Sequence, residues 1–146
     1  MARERDDEDV RTGLTRAVLE GVAFAFADGQ EALVRAGTEI GEVSVIGGGS
    51  RSNLWGRILA STLERPLLYR AGSDVGPAHG AARLARLCVT GEDPGEVCKP
   101  PPVADEIHPD PALTDHYRER LAGYRELYRS LRPVFATGPR DEETSP

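Results

Sequence analysis

This sequence predicts an α/β fold, on the evidence of three consecutive patterns. Residues 42–46 have the pattern of a strand, with β-branched Val43 and Val45, and the three glycines 47–49 follow. A helical pattern covers residues 53–63, and a second short strand is predicted at residues 67–70. A strand, a turn, a helix and a second strand in succession form a right-handed crossover between parallel strands. We therefore expect a parallel pair of strands, with the glycine turn at one end of the first strand.

A long helix is predicted before this unit, from Val10 to about residue 36, with Gly37 as its C-cap. Its apolar residues recur at three- and four-residue spacing: Val10, Leu14, Val18, Val22 and Ala25. Residues 1–9 are almost all charged, and we expect them to be disordered. Glu20 lies within the helix, and a carboxylate that faces the core needs a partner such as an arginine.

The helix at residues 53–63 can be capped by Ser50 or Ser52, and Pro66 ends it. A further helix is predicted at residues 77–89, where Pro77 suits the first turn. Asp74 precedes this helix, and we favour a capping role for it over that of a site carboxylate. The many small residues of this helix predict that it packs closely against a sheet or another backbone.

Residues 90–109 are rich in proline and glycine, which predicts an extended surface connection. A last helix is predicted to begin at Pro111 and to end at Pro133. Its bulky residues form one stripe that we expect to be packed: Tyr117, Leu121, Tyr124, Tyr128 and Leu131. The tail, residues 137–146, has no apolar periodicity, and we expect it to be disordered.

Composition excludes several classes of protein. The net charge of −6 argues against nucleic acid as a main partner. No stretch approaches the roughly 20 apolar residues of a membrane-spanning helix, and the N-terminus lacks the apolar region of a signal peptide. We expect a cytoplasmic protein with no membrane partner.

Neither histidines nor cysteines form a recognisable metal site. His79, His108 and His116 do not have the spacing of metal ligands. Cys88 and Cys98 lie ten residues apart with no CxxC motif, which is not the pattern of a zinc site or a disulfide framework. We expect reduced thiols and assign no metal ligand.

The glycine turn has three interpretations that the spacing leaves open. Gly47, Gly49 and Ser52 form a degenerate dinucleotide fingerprint, and Arg70 stands where an acid is usual and would suit the 2′-phosphate of NADP. The second interpretation is an adenine-nucleotide site of another fold class. The third is a tight turn in which the glycines serve only geometry. A Walker-type loop needs an adjacent lysine, and the only lysine is Lys99.

Three stretches, taken in order, resemble the FGGY family of carbohydrate kinases. Residues 14–24, LTRAVLEGVAF, look like the long helix that opens the ATP-binding part of these kinases. Residues 46–55, IGGGSRSNLW, look like their adenine-nucleotide turn, and residues 74–85, DVGPAHGAARLA, look like the small-residue helix that follows. The proline-rich segment and the tyrosine-bearing last helix are most similar to the xylulose kinase branch. Residues 1–9 do not share the resemblance.

The resemblance implies an actin-like ATPase (ribonuclease H-like) fold, of which residues 10–136 would be an incomplete C-terminal, ATP-binding domain. It also implies phosphorylation of a sugar, commonly a pentulose such as xylulose, with ATP and Mg²⁺. By position, the nucleotide-binding residues would be Gly47, Gly48, Gly49, Ser50 and Asn53. The Asn53 amide suits a base edge because it both donates and accepts hydrogen bonds.

The resemblance extends over only the last third of such a kinase. The family's N-terminal, sugar-binding domain carries the catalytic aspartate, and no stretch here matches it. We therefore assign no catalytic residue to this chain and expect it to be inactive alone, as part of a truncated kinase. The alternative is a non-catalytic nucleotide-binding or interaction module that complements a separate N-terminal half. A third possibility is an NADP-binding, Rossmann-like oxidoreductase fragment.

Overall fold

The computed structural model describes residues 2–136, without the side chains of residues 2–8, 75 and 136. Its elements, in chain order, are α1 (Ala2–Arg35), α2 (Asn53–Leu63), β1 (Leu67–Arg70), α3 (Gly76–Thr90), α4 (Pro94–Val97), β2 (Val103–Ile107) and α5 (Pro111–Ala136). Two 3₁₀ turns, Gly48–Arg51 and Ser73–Val75, precede α2 and α3. The predicted disorder of residues 137–146 lies outside the described residues.

Helix α1 ends as predicted but begins earlier. Its C-terminus is a Schellman motif: Gly37 has a φ of 88° and donates to the Val34 carbonyl, and the Thr38 N–H donates to the Leu33 carbonyl. The predicted start at Val10 is wrong, because the helix begins at Ala2. Its first turns are rich in acids, which the positive end of the helix dipole stabilises. The division of the chain into a segment 1–9 and a domain 10–136 stays a prediction.

The core lies between α1, α2, β1 and α5. Its fully buried centre includes Ala23 of α1, Ile58 and Ala60 of α2, and Leu67 of β1, with Tyr117 of α5 closing one side. The Phe24 and Tyr117 rings meet edge to face, with centroids 6.2 Å apart. The stripe on α5 therefore packs in its first half, where Leu121 and Tyr124 also touch the core. Tyr128, in the second half, is exposed.

The two named strands are antiparallel, which the sequence did not predict. Leu67 of β1 pairs with Ile107 of β2, so part of the predicted surface connection is a strand. The predicted strand at residues 42–46 is reduced to one parallel bridge, Ser44 to Leu68. Its hydrogen bonds are Val45 N–H to the Leu68 carbonyl, 3.0 Å, and Leu68 N–H to the Val43 carbonyl, 2.8 Å. The predicted parallel pairing is thus present over a single residue pair.

Glu20 confirms the expectation that a buried carboxylate has arginine partners. It is 1% exposed. Its Oε1 lies 2.7 Å from Arg16 Nε on the preceding turn, and its Oε2 lies 2.9 Å from Arg120 Nη2 on α5. The hydrogen bond from Arg16 to Glu20 raises the pKa of Arg16, and Tyr117 adds to the effect. The three charges connect α1 to α5 at the edge of the core.

Two predictions about helices are wrong. Helix α5 continues past Pro133 to Ala136. A proline near a helix end disturbs fewer hydrogen bonds than one in the middle. Helix α3, predicted to pack closely, has no buried residue within the described part of the chain.

Candidate functional site

The glycine turn is a tight, hydrogen-bonded structure at the end of the residue 43–45 segment. Gly47 has a φ of 81° and a ψ of −169°, a conformation that L-residues with a side chain rarely adopt. The Gly47 carbonyl accepts from Ser50 N–H at 3.0 Å and from Ser50 Oγ at 2.8 Å. Ser50 therefore fixes the turn with its own side chain.

Ser52, of the two serines considered as caps, is the one that caps α2. Its Oγ accepts from the Trp55 N–H at 3.2 Å, and its carbonyl accepts from the Gly56 N–H at 3.0 Å. Asn53 is the first residue of α2 and is exposed. Asn53 directly follows the cap in the chain, and its side chain is accessible to solvent or a ligand.

A second turn lies directly against the first. The Gly47 N–H donates to the Ser73 carbonyl at 2.7 Å. A Cβ added at Gly76 would lie 3.3 Å from the Gly47 nitrogen. Gly76 also has a positive φ, 32°. The structure thus brings together two motifs that are separated by about 25 residues in the sequence.

A salt bridge joins the rims of the two turns. Asp74 Oδ2 lies 3.3 Å from Arg51 Nη2, and both side chains are well exposed. Among the described residues, no backbone N–H of α3 donates to the Asp74 carboxylate, so its predicted role as a cap is wrong. An exposed pair of this length contributes little to stability, and its charges stay available at the surface.

The Trp55 ring packs against the glycine turn at Gly49. An added Cβ at Gly49 would lie 3.3 Å from both Cδ1 and Nε1 of the Trp55 ring. Trp55 is half-buried and packs on the core. A side chain at Gly49 would crowd the indole, whereas Gly47 and Gly48 have open space where a side chain would be. Two of the three glycines are free to face a ligand.

Arg70 is engaged in structural contacts. Its guanidinium donates to Glu42 Oε2 at 2.7 Å, to the Pro101 carbonyl at 2.8 Å and to Ser44 Oγ at 3.3 Å. With its side chain 20% exposed and each of its three guanidinium nitrogens in a hydrogen bond, it is not placed to bind the 2′-phosphate of NADP. The presence of arginine at position 70, which motivated the NADP interpretation, is therefore explained by these structural contacts.

The remaining polar candidates are spread over α3, α5 and the segments between them. His79 is exposed on α3, His108 lies 3.5 Å from Glu106, and the His116 ring is 5.4 Å from that of Tyr117. Cys88 and Cys98 are free and exposed. Among the described residues, no three histidine, cysteine or carboxylate side chains are grouped as metal ligands would be. Over the same residues, no helix has the length and apolar character to cross a membrane.

Sequence reasoning missed the residues that hold the turn from outside, namely Ser73, Gly76 and Trp55. Ser73 accepts the Gly47 hydrogen bond with its main-chain carbonyl, and every residue type has such a carbonyl, so the sequence carries no signal for it. Gly76 carried a signal, because a glycine immediately before a proline at a helix start is typical of a special backbone conformation. Trp55 is a large apolar residue within a helix, and nothing in the sequence pattern indicates that its ring contacts Gly49.

Comparison with a model of a protein family gives a match over residues 2–87, more than half of the chain, to "FGGY family of carbohydrate kinases, C-terminal domain". The match begins at residue 2, so the expectation that residues 1–9 fall outside the resemblance is wrong for nearly all of them. Xylulose kinase from Escherichia coli strain K12 is 41% identical over 124 residues, which cover 84% of this chain and 26% of that enzyme. The corresponding enzyme from Klebsiella pneumoniae is 38% identical over the same coverage.

Solved structures give the same result. A crystal structure described as a xyloylose kinase from Brucella ovis superposes with a TM-score of 0.73 and 45% identity, over 85% of this chain and 26% of that one. Xylulose kinase from Rhodospirillum rubrum gives a TM-score of 0.66 and 32% identity. The chain thus spans about a quarter of the length of the relatives it matches. Their fold is the predicted actin-like ATPase fold, which differs from the Rossmann fold that the NADP alternative requires.

Proposed function

Because the chain belongs to the FGGY family of carbohydrate kinases, we propose that it is part of an ATP-dependent kinase that phosphorylates a pentulose such as D-xylulose. In this proposal the chain supplies the side of the site that binds the adenine nucleotide. The relatives that are named xylulose kinases support the choice of sugar. The chain matches only about a quarter of their length, so the activity of the whole enzyme is part of the proposal.

One observation carries the assignment of the nucleotide side. No described atom lies within 4 Å of the position that a Cβ would occupy at Gly47 or Gly48, and the first turn of α2 follows within a few residues. Exposed N–H groups at a helix start, together with the positive end of the helix dipole, favour an anionic ligand. ATP supplies the phosphoryl group when it is bound, and this chain's glycines would allow close approach to its phosphates and ribose.

Asn53 is the residue that we assign to the adenine base. It is exposed, and no described residue forms a hydrogen bond with its side chain, so both its donor and its acceptor are available. Ser50 has a supporting role, because its hydroxyl donates to the Gly47 carbonyl and retains acceptor capacity for a ligand. We place the ligands of Mg²⁺ and the catalytic aspartate in the part of the kinase outside this match, and we expect the isolated chain to be inactive.

The assignment of Asn53 is tested by replacing it with leucine. Asn53→Leu is expected to weaken ADP binding at least tenfold in isothermal titration calorimetry, with no change in the thermal midpoint. Thr12→Leu is the matched control, since it also places leucine at an exposed polar position of a helix. If ADP affinity is equal in the two variants, the adenine assignment is wrong.

The activity proposal has its own test. A coupled assay with ATP, Mg²⁺ and D-xylulose is expected to detect no turnover by the chain alone. Turnover at the 1–10³ s⁻¹ typical of enzymes would contradict the division of the site between this chain and another part of the kinase.

A second candidate is a non-catalytic nucleotide-binding module that complements a separate N-terminal half. The observation that favours it is the exposed apolar surface of α1 and α3, where Leu14, Val18 and Leu84 are each more than 60% exposed. Large exposed apolar surface marks a site of association.

A further inference from the structure

Helix α1 has apolar residues on two opposite sides. The inner side is buried against the core and carries Glu20, Ala23, Phe24 and Ala27. The other side, which we call the outer face of α1, carries an apolar residue at every fourth position: Val10, Leu14, Val18, Val22 and Phe26. At about 100° per residue, the centre of this series lies opposite the buried side.

The outer face is uncovered by the described chain. Its five apolar side chains are 46–67% exposed. A helix whose only apolar side faces its own core has charged and polar residues on the opposite side. A helix that is apolar on both sides is normally buried on both. Residues Val10 to Phe26 therefore have the pattern of a helix that lies between two layers, of which this chain supplies one.

Gly29, on the same side of α1, is a second indication that this face is covered. Gly29 lies near the centre of the outer face and has no atom within 4 Å of the position a Cβ would occupy. A glycine in a helix interior costs up to about 1 kcal/mol relative to alanine. No contact within the described residues accounts for this cost at Gly29, whereas close approach by a covering backbone would.

We propose that the outer face of α1 is a docking surface for the remaining part of an FGGY-type kinase, which covers Val10, Leu14, Val18, Val22 and Phe26. The relatives supply the argument for this occupant, since about three quarters of their length lies outside the match and is available to form the second layer. The inference rests on the proposed function, because it takes the same kinase as the partner.

A second copy of the chain fits the surface less well. Each copy has a net charge of −6, and the acidic residues 4–9 are part of the same helix as the outer face. Two such helices side by side would bring like charges together, which disfavours pairing. A partner with an apolar surface and no acidic run avoids this repulsion.

The surface is tested by association in trans. The tagged chain is co-expressed with Escherichia coli xylulose kinase from which the matching segment has been deleted, and the two are expected to purify as a one-to-one complex. Val18→Glu is expected to weaken the complex at least tenfold, while Leu127→Glu, similarly exposed on α5, leaves it unchanged. Failure of the unmodified chain to form the complex, equal effects of the two variants, or a dimer of the chain alone that Val18→Glu disperses would each overturn the proposal.

A second measurement reports burial directly. This chain replaces the matching segment in the Escherichia coli enzyme, with Cys88 and Cys98 changed to serine and Val18→Cys introduced. The new thiol is expected to react with a maleimide at least tenfold more slowly in the chimera than in the isolated chain, whereas Leu127→Cys reacts equally in both. Equal rates at position 18 would overturn the proposal. Neither experiment uses a nucleotide, so failure here is distinguishable from failure of the adenine assignment.

Discussion

Helices α2 and α3 each follow a turn that contains a glycine with positive φ, yet only one of them is packed. Seven of the eleven residues of α2 are buried, and none of the fifteen residues of α3 is. Both sequences contain leucine and alanine at helical spacing, and both turns are part of the candidate site. Both helices therefore carry the local signals of a helix, and the elements that lie beside each one determine how much of it is buried.

The difference shows which features depend on local sequence and which depend on the rest of a domain. A cap, a turn and helix-forming residues are sufficient to start and end a helix. Burial requires apolar residues far away in the chain, and α2 finds them in α1, β1 and α5. For α3, we expect them in the part of an FGGY-type kinase that lies outside the matched segment. Helix α1 is packed like α2 on its inner side and uncovered like α3 on its outer face.

Truncation of one leucine-sized side chain in each helix gives the largest expected contrast. Ile58 is 2% exposed in α2, so Ile58→Ala should lower the free energy of unfolding by about 2–5 kcal/mol. Leu84 of α3 is 67% exposed, so Leu84→Ala should change it by less than about 0.5 kcal/mol. Urea denaturation followed by circular dichroism measures both. Similar losses would mean that α3 is packed in the isolated chain.

Replacing one glycine by alanine in each of α2 and α3 gives the next contrast, and the two changes in the free energy of unfolding should have opposite sign. A Cβ at Gly56 of α2 would collide with the Tyr69 hydroxyl and with Ile107 Cδ1, so Gly56→Ala should destabilise by about 1–3 kcal/mol. Gly80 of α3 has open space, so Gly80→Ala should stabilise by up to about 1 kcal/mol. Thermal unfolding of the two variants and the unmodified chain measures whether each substitution stabilises or destabilises the protein. Stabilisation by Gly56→Ala would show that β1 and β2 are not held against α2.

Elements with local signals were predicted at their correct positions. The bounds of α2 and β1 agree with the prediction at both ends, because Ser52 caps the helix and Pro66 separates it from the strand. The C-terminal end of α1 was also predicted, from the single glycine at position 37. In each case the determining residues lie within a few positions of the boundary.

Elements that depend on distant partners were not predicted. β2 has the sequence VADEI, with three consecutive residues that are poor or neutral in strands. It is a strand because β1, more than 30 residues earlier, offers a free edge. In the candidate site, the Gly47 turn was predicted from its glycines, but its contact with Ser73 requires the two turns to be brought together by the fold. The nucleotide-binding roles of Gly47 and Asn53 stay predictions.

Alanine substitution of one glycine in α1 and one in α5 gives a smaller expected effect. Gly29 of α1 and Gly123 of α5 have no atom within 4 Å of an added Cβ. Alanine at either position should therefore stabilise the isolated chain by up to about 1 kcal/mol, measured as a rise in thermal midpoint. If the outer face of α1 is a docking surface, only Gly29→Ala should also weaken the complex with the remainder of the kinase. Equal affinity of the two variants would argue against close backbone approach at Gly29.

The smallest expected effect concerns the end of α3. Hydrogen bonds from Arg86, and then from Thr90, lower the pKa of Glu92 from 4.5 to about 2. The folded-state pKa lies below the unfolded value, so any stability from this pair is present above pH 4.5 and is lost as the pH falls toward 2. The group is fully exposed, so screening by water and salt should leave global unfolding at pH 7 unchanged when Arg86 is replaced. Arg86→Gln should nevertheless raise the titration midpoint of the Glu92 carboxyl toward 4.5, as followed by carbon NMR, and Thr90→Val should raise it less. A midpoint that stays near 2 in Arg86→Gln would show that the end of α3 is held by something other than this pair.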